Sequence, residues 1–197
     1  MQPTSSFPRR AGTAEVSVRP ARPDDAPEIA RVQAVTWRTA YRSILPLEVL
    51  DSWDEAAAAE TWRTAVTAPP TPGHGVLVAL ERDTVVGFAA HGPAELPAGE
   101  RPHPAGPSSE VAALLVEPRW GRRGHGSRML AAVVDRVVPT GVRELRMWVP
   151  EEDPVTSRFL GSAGWAAGSR TRGLEADGTT IRERRWHVLL GEDGDQA

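Results

Sequence analysis

The chain contains no cysteine and no lysine. Without cysteine there is no disulfide, no thiolate metal ligand and no cysteine nucleophile, so an acyl-cysteine intermediate is excluded. Without lysine there is no Gly-Lys-Ser/Thr phosphate loop, which excludes a nucleoside triphosphate site of Walker type. Only one tyrosine is present, Tyr41, so a phenolic proton donor has a single candidate. No apolar run approaches the roughly 18 residues of a membrane span, and the opening MQPTSSFPRRAGTAE lacks a signal-peptide core. The expectation is a soluble cytoplasmic protein with no membrane partner. The five histidines are dispersed, with no H-E-x-x-H pair, so no metal is expected. A formal charge of −3 argues against a general nucleic-acid binder.

Present instead is enough chain, 197 residues, for one well-buried domain. Residues 1–14 and 191–197 read as flexible tails, and 15–190 as a single domain. The most informative segment is Glu110–Leu130, EVAALLVEPRWGRRGHGSRML. Val111–Val116 is a continuous apolar run, predicting a strand covered on both faces. Pro118 stops it, and Gly121, Gly124 and Gly126 allow a tight turn and close approach of a ligand. From Ser127 to Val138 the apolar residues recur at helical spacing. A glycine loop entering a helix presents outward N–H groups and partial positive charge. Arg119, Arg122, Arg123 and Arg128 lie on or beside it. Together these suit a pyrophosphate, although an ordinary strand–turn–helix with a basic turn has the same outline. The glycine order, G-x-x-G-x-G, differs from the dinucleotide order G-x-G-x-x-G.

Elsewhere the patterns predict a strand over Val16–Arg19, a helix starting near Asp25 with Glu28 at capping-box spacing, a short helix over Pro46–Trp53 and a helix over Glu55–Ala68. Val76–Leu80 and Val85–Ala90 predict a hairpin turning at Arg82-Asp83. Gly92–Ser109, rich in Pro and Gly, reads as disordered or as a lid. Leu145–Val149 predicts a strand and Thr156–Ala163 a helix. Trp165–Ala167 and Ile181–Leu190 predict closing strands with a turn at Asp177-Gly178. This order gives an α/β fold with a mixed sheet.

The central segment resembles the coenzyme A loop of the GNAT superfamily of N-acetyltransferases, Arg/Gln-x-x-Gly-x-Gly/Ala after a strand of type apolar-x-Val-x-Pro. Leu114, Val116 and Pro118 fill the strand slots, and Gly124 and Gly126 the glycine slots; Gly121 stands where Arg or Gln is usual. Thr36–Asp51 resembles the first-helix region of bacterial members, and Phe159–Trp165 the Phe-Tyr-x-x-x-Gly-Phe stretch. The resemblance implies a single-domain GNAT-like fold with a mostly antiparallel sheet flanked by helices. It also implies transfer of acetyl from acetyl-CoA to a primary amine, on a small molecule or a peptide, in a ternary complex without metal. A non-catalytic acyl-CoA-binding or regulatory module is the alternative. Homodimers are common in the family.

The resemblance implies that the backbone of Leu115 and Val116 holds the pantetheine arm and polarises the carbonyl. It places Arg122, Arg123, Gly124, His125, Gly126 and Ser127 at the pyrophosphate, with the His125 side chain expected toward solvent. Glu110, opening the strand, is the candidate base or a solvated carboxylate. Leu160 replaces the family's tyrosine, which leaves Tyr41 as a candidate acid or a packing and pocket residue. Asp153 stands where Asn is frequent and can cap the following helix. Trp37 and Trp53 are candidates to line the acceptor pocket.

Overall fold

The computed structural model describes residues 16–96, 104 and 106–191. The expected tail 1–14, all but the first residue of the expected tail 191–197, and the centre of the Gly92–Ser109 segment lie outside the described residues. The elements are β1 (Val16–Pro20), α1 (Ala26–Ala40), α2 (Leu47–Asp51), α3 (Glu55–Thr67), β2 (Gly75–Glu81), β3 (Thr84–Pro93), β4 (Ser108–Val116), α4 (His125–Val137), β5 (Glu144–Pro150), α5 (Pro154–Ser162), β6 (Ala166–Ala176) and β7 (Thr179–Leu189). The strands form one mixed sheet in the order β1-β2-β3-β4-β5-β7-β6. Only β4 and β5 run parallel. The α/β reading with a mostly antiparallel sheet therefore matches. Among the described residues no helix is long and apolar enough to cross a membrane.

Each face of the sheet carries helices. Leu77, Ala79, Val86, Val111, Leu145 and Met147 pack with Met129 and Val133 of α4. Val76, Val78, Leu80, Val85 and Phe88 pack with Ile29 and Val32 of α1, and Trp62 of α3 lies against them. Odd and even residues of β2 thus serve opposite cores, which is why that strand reads as unbroken apolar sequence. Side chains such as Ile29 and Val32, fully buried, each contribute about 1.5–3 kcal/mol by leaving water.

Several local expectations need correction. Asp25 stands at the start of α1 but makes no capping bond. Its carboxylate accepts from Arg19 at 2.6 and 2.8 Å and from the Arg22 N–H at 2.6 Å, a charged, forked donor being stronger than a helix amide. Glu28 pairs with Arg31 rather than completing a capping box. Gly92, Pro93, Ser108 and Ser109 belong to strands, not to a loop. β6 is far longer than Trp165–Ala167 because it is an edge strand exposed along most of its length, which leaves no apolar alternation to read. The Asp177-Gly178 turn is as expected, with φ of 45° and 73°.

Candidate active site

β4 and β5 pair only from Ser108 to Glu110 against Glu144 to Arg146. Beyond that point β4 stays with β3 as far as Val116, while β5 stays with β7 as far as Pro150. A gap opens between two strands that begin as neighbours. It explains why β4 is not covered on both faces as its composition suggested: Ala112 is exposed and Leu114 half-buried. At the closed end, Glu144 accepts from Ser108 Oγ at 2.6 Å, tying the strands together, and from Arg146 Nε of its own strand at 2.8 Å.

The ladder decides which backbone groups face the gap. The Glu117 N–H donates to Val86 at 2.9 Å. By the alternation of an antiparallel pair, Leu115 also faces β3, whereas Leu114 and Val116 turn their N–H and C=O groups toward the gap. Of the two residues assigned to the pantetheine arm, Val116 has backbone on the open side, with Leu114 as its neighbour there. The Leu115 side chain is buried against the α1 face.

After a 3-10 turn over Pro118–Trp120, Arg122 and Gly124 take left-handed φ of 61° and 79°. α4 then starts at His125, earlier than its apolar periodicity suggested. Its first helical bond runs from the Arg128 N–H to the Gly124 carbonyl at 3.1 Å. The N–H groups of His125, Gly126 and Ser127 therefore precede the ladder and form the positive end of the helix. Gly126 lies under the Phe159 ring, where a Cβ would approach to 3.1 Å. The arginines divide. Arg123 reaches Glu81 at 3.2 Å and lies 4.8 Å over the Trp120 ring. Arg128 folds back over the loop, with Nη1 donating to the Arg123 carbonyl at 2.9 Å. Arg122 stays exposed. The expectation that the His125 side chain meets solvent is overturned. It is wholly buried, with Nε2 3.0 Å from Glu81, because the first residue of this helix points under the loop rather than out of it.

On the α3 side of the sheet lies a cavity of about 810 Å³, bordered by Trp62, Glu110, Ala112, Trp148 and Arg172. Glu110 is half-buried at the vertex of the gap, the last β4 residue paired with β5. Burial pushes its carboxyl above the ordinary value, against the opposing influence of Arg172 and a hydrogen bond with Trp148. Arg172 stacks over Trp148 at 4.5 Å and pairs with Glu183 at 2.7 Å. Trp37 and Trp53 do not line this cavity; they pack on each other at 4.6 Å. Trp62 and Trp148 take that place. Trp62 is fixed by its N–H to Gln33 at 2.7 Å and by Phe88 at 4.8 Å. No short-range pattern marks them, because they come from a helix and a strand far apart in sequence.

Tyr41, at the end of α1, also lies outside the cavity border. Its hydroxyl is close to Asp153 and Thr156 at the start of α5, and burial, followed by the Asp153 charge, raises its pKa well above the usual phenol value. Asp153 caps α5, accepting from the N–H groups of Val155 at 3.0 Å and Thr156 at 2.9 Å. Leu160 is fully buried in the core. Among the described residues no group of three or more His, Asp or Glu could hold a metal.

Residues 34–165 match the model of the Acetyltransferase (GNAT) family. An uncharacterised N-acetyltransferase of Bacillus subtilis, YuaI, is 30% identical over 140 residues, covering 71% of this chain and 74% of that protein. A mycothiol acetyltransferase of Rhodococcus erythropolis is 39% identical over 85 residues, 43% of this chain but only 24% of that longer protein. Among solved structures, PaiA N-acetyltransferase of Thermoplasma acidophilum, in complex with coenzyme A, superposes with a TM-score of 0.67 at 16% identity, covering 90% of this chain and all of that one (100%). Salmonella typhimurium yncA, solved with acetyl-CoA, gives 0.66 at 17%, covering 93% and 99%. A strand gap beside a glycine-capped helix, on this fold and with this sequence match, has one family reading: the chain belongs to the GNAT family of acetyltransferases.

Proposed function

We propose that the chain moves an acetyl group from acetyl-CoA to a primary amine by direct transfer, both substrates being bound together. The observation that carries this is the position of Glu110. It stands at the vertex of the β4–β5 gap with the cavity on one side and the backbone edge leading to the α4 N-terminus on the other. The residues present suit coenzyme A. Three N–H groups at the start of α4 would take the pyrophosphate, with Arg122 and Arg128 beside them. The Leu114 and Val116 backbone would take the amide-bearing arm. Acetyl-CoA supplies an activated thioester.

In this reading the amine lies in the cavity. Glu110, its affinity for protons raised by burial, removes a proton so that the nitrogen lone pair can attack. A backbone N–H of β4 stabilises charge developing on the carbonyl oxygen. Tyr41, the chain's one tyrosine, gives its proton to the departing thiolate as the carbon–sulfur bond breaks, although burial and the Asp153 charge make it a weaker acid than a free phenol. The roles are thus shared between β4, which carries Glu110, and the end of α1, which carries Tyr41, and proximity supplies much of the remaining acceleration.

The test is calorimetry of acetyl-CoA binding followed by a transfer assay over a panel of amines. Saturable binding with turnover of at least one amine supports the reading. Binding without turnover across a broad panel would replace it with an acyl-CoA-binding module, and absence of binding would remove the coenzyme A loop altogether.

A further inference from the structure

Glu81 ends β2 and lies 42 residues before Arg123 and 44 before His125. One oxygen of its carboxylate is 3.2 Å from Arg123 Nη1, and the other is 3.0 Å from His125 Nε2. Arg123 and His125 are the two residues flanking Gly124, whose φ of 79° turns the chain into α4. A single carboxylate therefore holds the loop from beneath on both sides of its turning point. From above, Arg128 Nη1 closes on the Arg123 carbonyl. The contact with His125 is partly shielded from water, the ring being fully buried and Glu81 20% exposed. A charge-assisted bond there is stronger than at the surface.

We propose that Glu81 is a positioning residue for the coenzyme A loop, acting through His125 and Arg123 to aim the first N–H groups of α4 at the pyrophosphate. Backbone N–H groups bind an anion only when their directions converge, and a glycine at the turn lets those directions wander. Glu81 supplies the restraint that glycine lacks. The same contact draws Arg123 away from direct phosphate binding and leaves that task to Arg122 and Arg128. This rests on the loop being the coenzyme A site; it does not depend on the roles given to Glu110 or Tyr41.

The experiment titrates coenzyme A itself into wild type, Glu81→Gln, Glu81→Ala, His125→Leu and the Glu81→Ala/His125→Leu double variant by calorimetry. Thermal melts and steady-state kinetics accompany each. Glu81→Ala is expected to raise the Kd about ten-fold, the size of a lost bond to a charged group. Glu81→Gln, whose one carbonyl oxygen keeps one partner, should fall between wild type and alanine. The double variant should be little weaker than Glu81→Ala alone, since the contact with His125 is already broken there. KM for acetyl-CoA should rise while KM for the amine stays put. A folded Glu81→Ala with wild-type Kd overturns the proposal. So does a loss that raises both KM values together and follows the fall in melting temperature. If Glu81→Ala does not fold, an unchanged Kd in Glu81→Gln is the overturning result. Failure of wild type to bind coenzyme A would instead remove the loop assignment on which the proposal stands.

Discussion

The two sides of the gap are built from different materials. The side proposed for the acetyl donor is made of backbone: the β4 edge at Leu114 and Val116, the left-handed turn at Gly124 and the first amides of α4. Its parts are contiguous in sequence. The side proposed for the acceptor is made of side chains: Trp62 from α3, Glu110 from β4, Trp148 from β5 and Arg172 from β6. A backbone site binds a shape common to many ligands, and its sequence signature is short. A side-chain site can be rebuilt one residue at a time on the same scaffold, so it carries the selectivity and has no local signature.

Substitutions should keep these two sides apart. The largest effect is expected from Glu110→Gln, a fall in kcat/KM of about 10³-fold for loss of a base, with the Kd for coenzyme A unchanged. Because burial raises this carboxyl, activity in the wild type should fall with decreasing pH through a limb lying above the ordinary carboxylate range. That limb should vanish in the variant; a limb that persists would give the base role to another group. Next comes Tyr41→Phe, with kcat lower by about 10²-fold for loss of a proton donor and little change in either binding constant. An unaltered kcat would show that water protonates the thiolate and that Tyr41 only packs.

On the proposed donor side Gly124→Ala should weaken coenzyme A about ten-fold, because the free variant's loop relaxes out of the left-handed turn and binding has to restore it at roughly 1–2 kcal/mol. A Cβ there would also stand 2.6 Å from Arg128 Nη1. Calorimetry checks this, and the amine KM should stay constant; a rise in both would mean the two sides are coupled through α4.

The smallest effect is expected in stability, from His91 on the border of the cavity. His91 is buried, and its ring nitrogens have no hydrogen bond of ordinary geometry. Burial, then Arg136 and His74, lowers its pKa, with the Gly73 carbonyl opposing. The unfolded chain therefore takes up the proton first. Stability from this group is complete above about 6.5, the unperturbed value, and is lost as pH falls toward the folded one. His91→Leu should flatten that part of a melting-temperature profile; an unchanged slope would assign the acid sensitivity to other groups.

Legibility follows the same division. Gly124, Gly126, Pro118 and the run before them could be read directly, because close backbone approach and chain reversal restrict residue type at fixed spacing. Glu110 stood out only through the strand that follows it. Trp62 and Trp148 did not stand out among seven tryptophans, since core packing and ligand contact ask for the same residue type. The buried His125 was misread because its carboxylate partner is 44 residues away. Only the folded chain shows that the first turn of α4 sits over the end of β2.

What the sequence alone determined, then, is the order of the elements, the mixed sheet, the glycine turn before α4 and the absence of any cysteine route. These depend on local spacing, on backbone freedom and on which residue types exist at all. The tertiary structure decided the rest: the parting of β4 from β5 after Glu110, the approach of Tyr41 to Asp153, and the grip of Glu81 on the residues either side of Gly124. Each is a meeting of distant segments, and such meetings are set by how sheet twist and helix packing close the whole chain. No residue or short pattern encodes them.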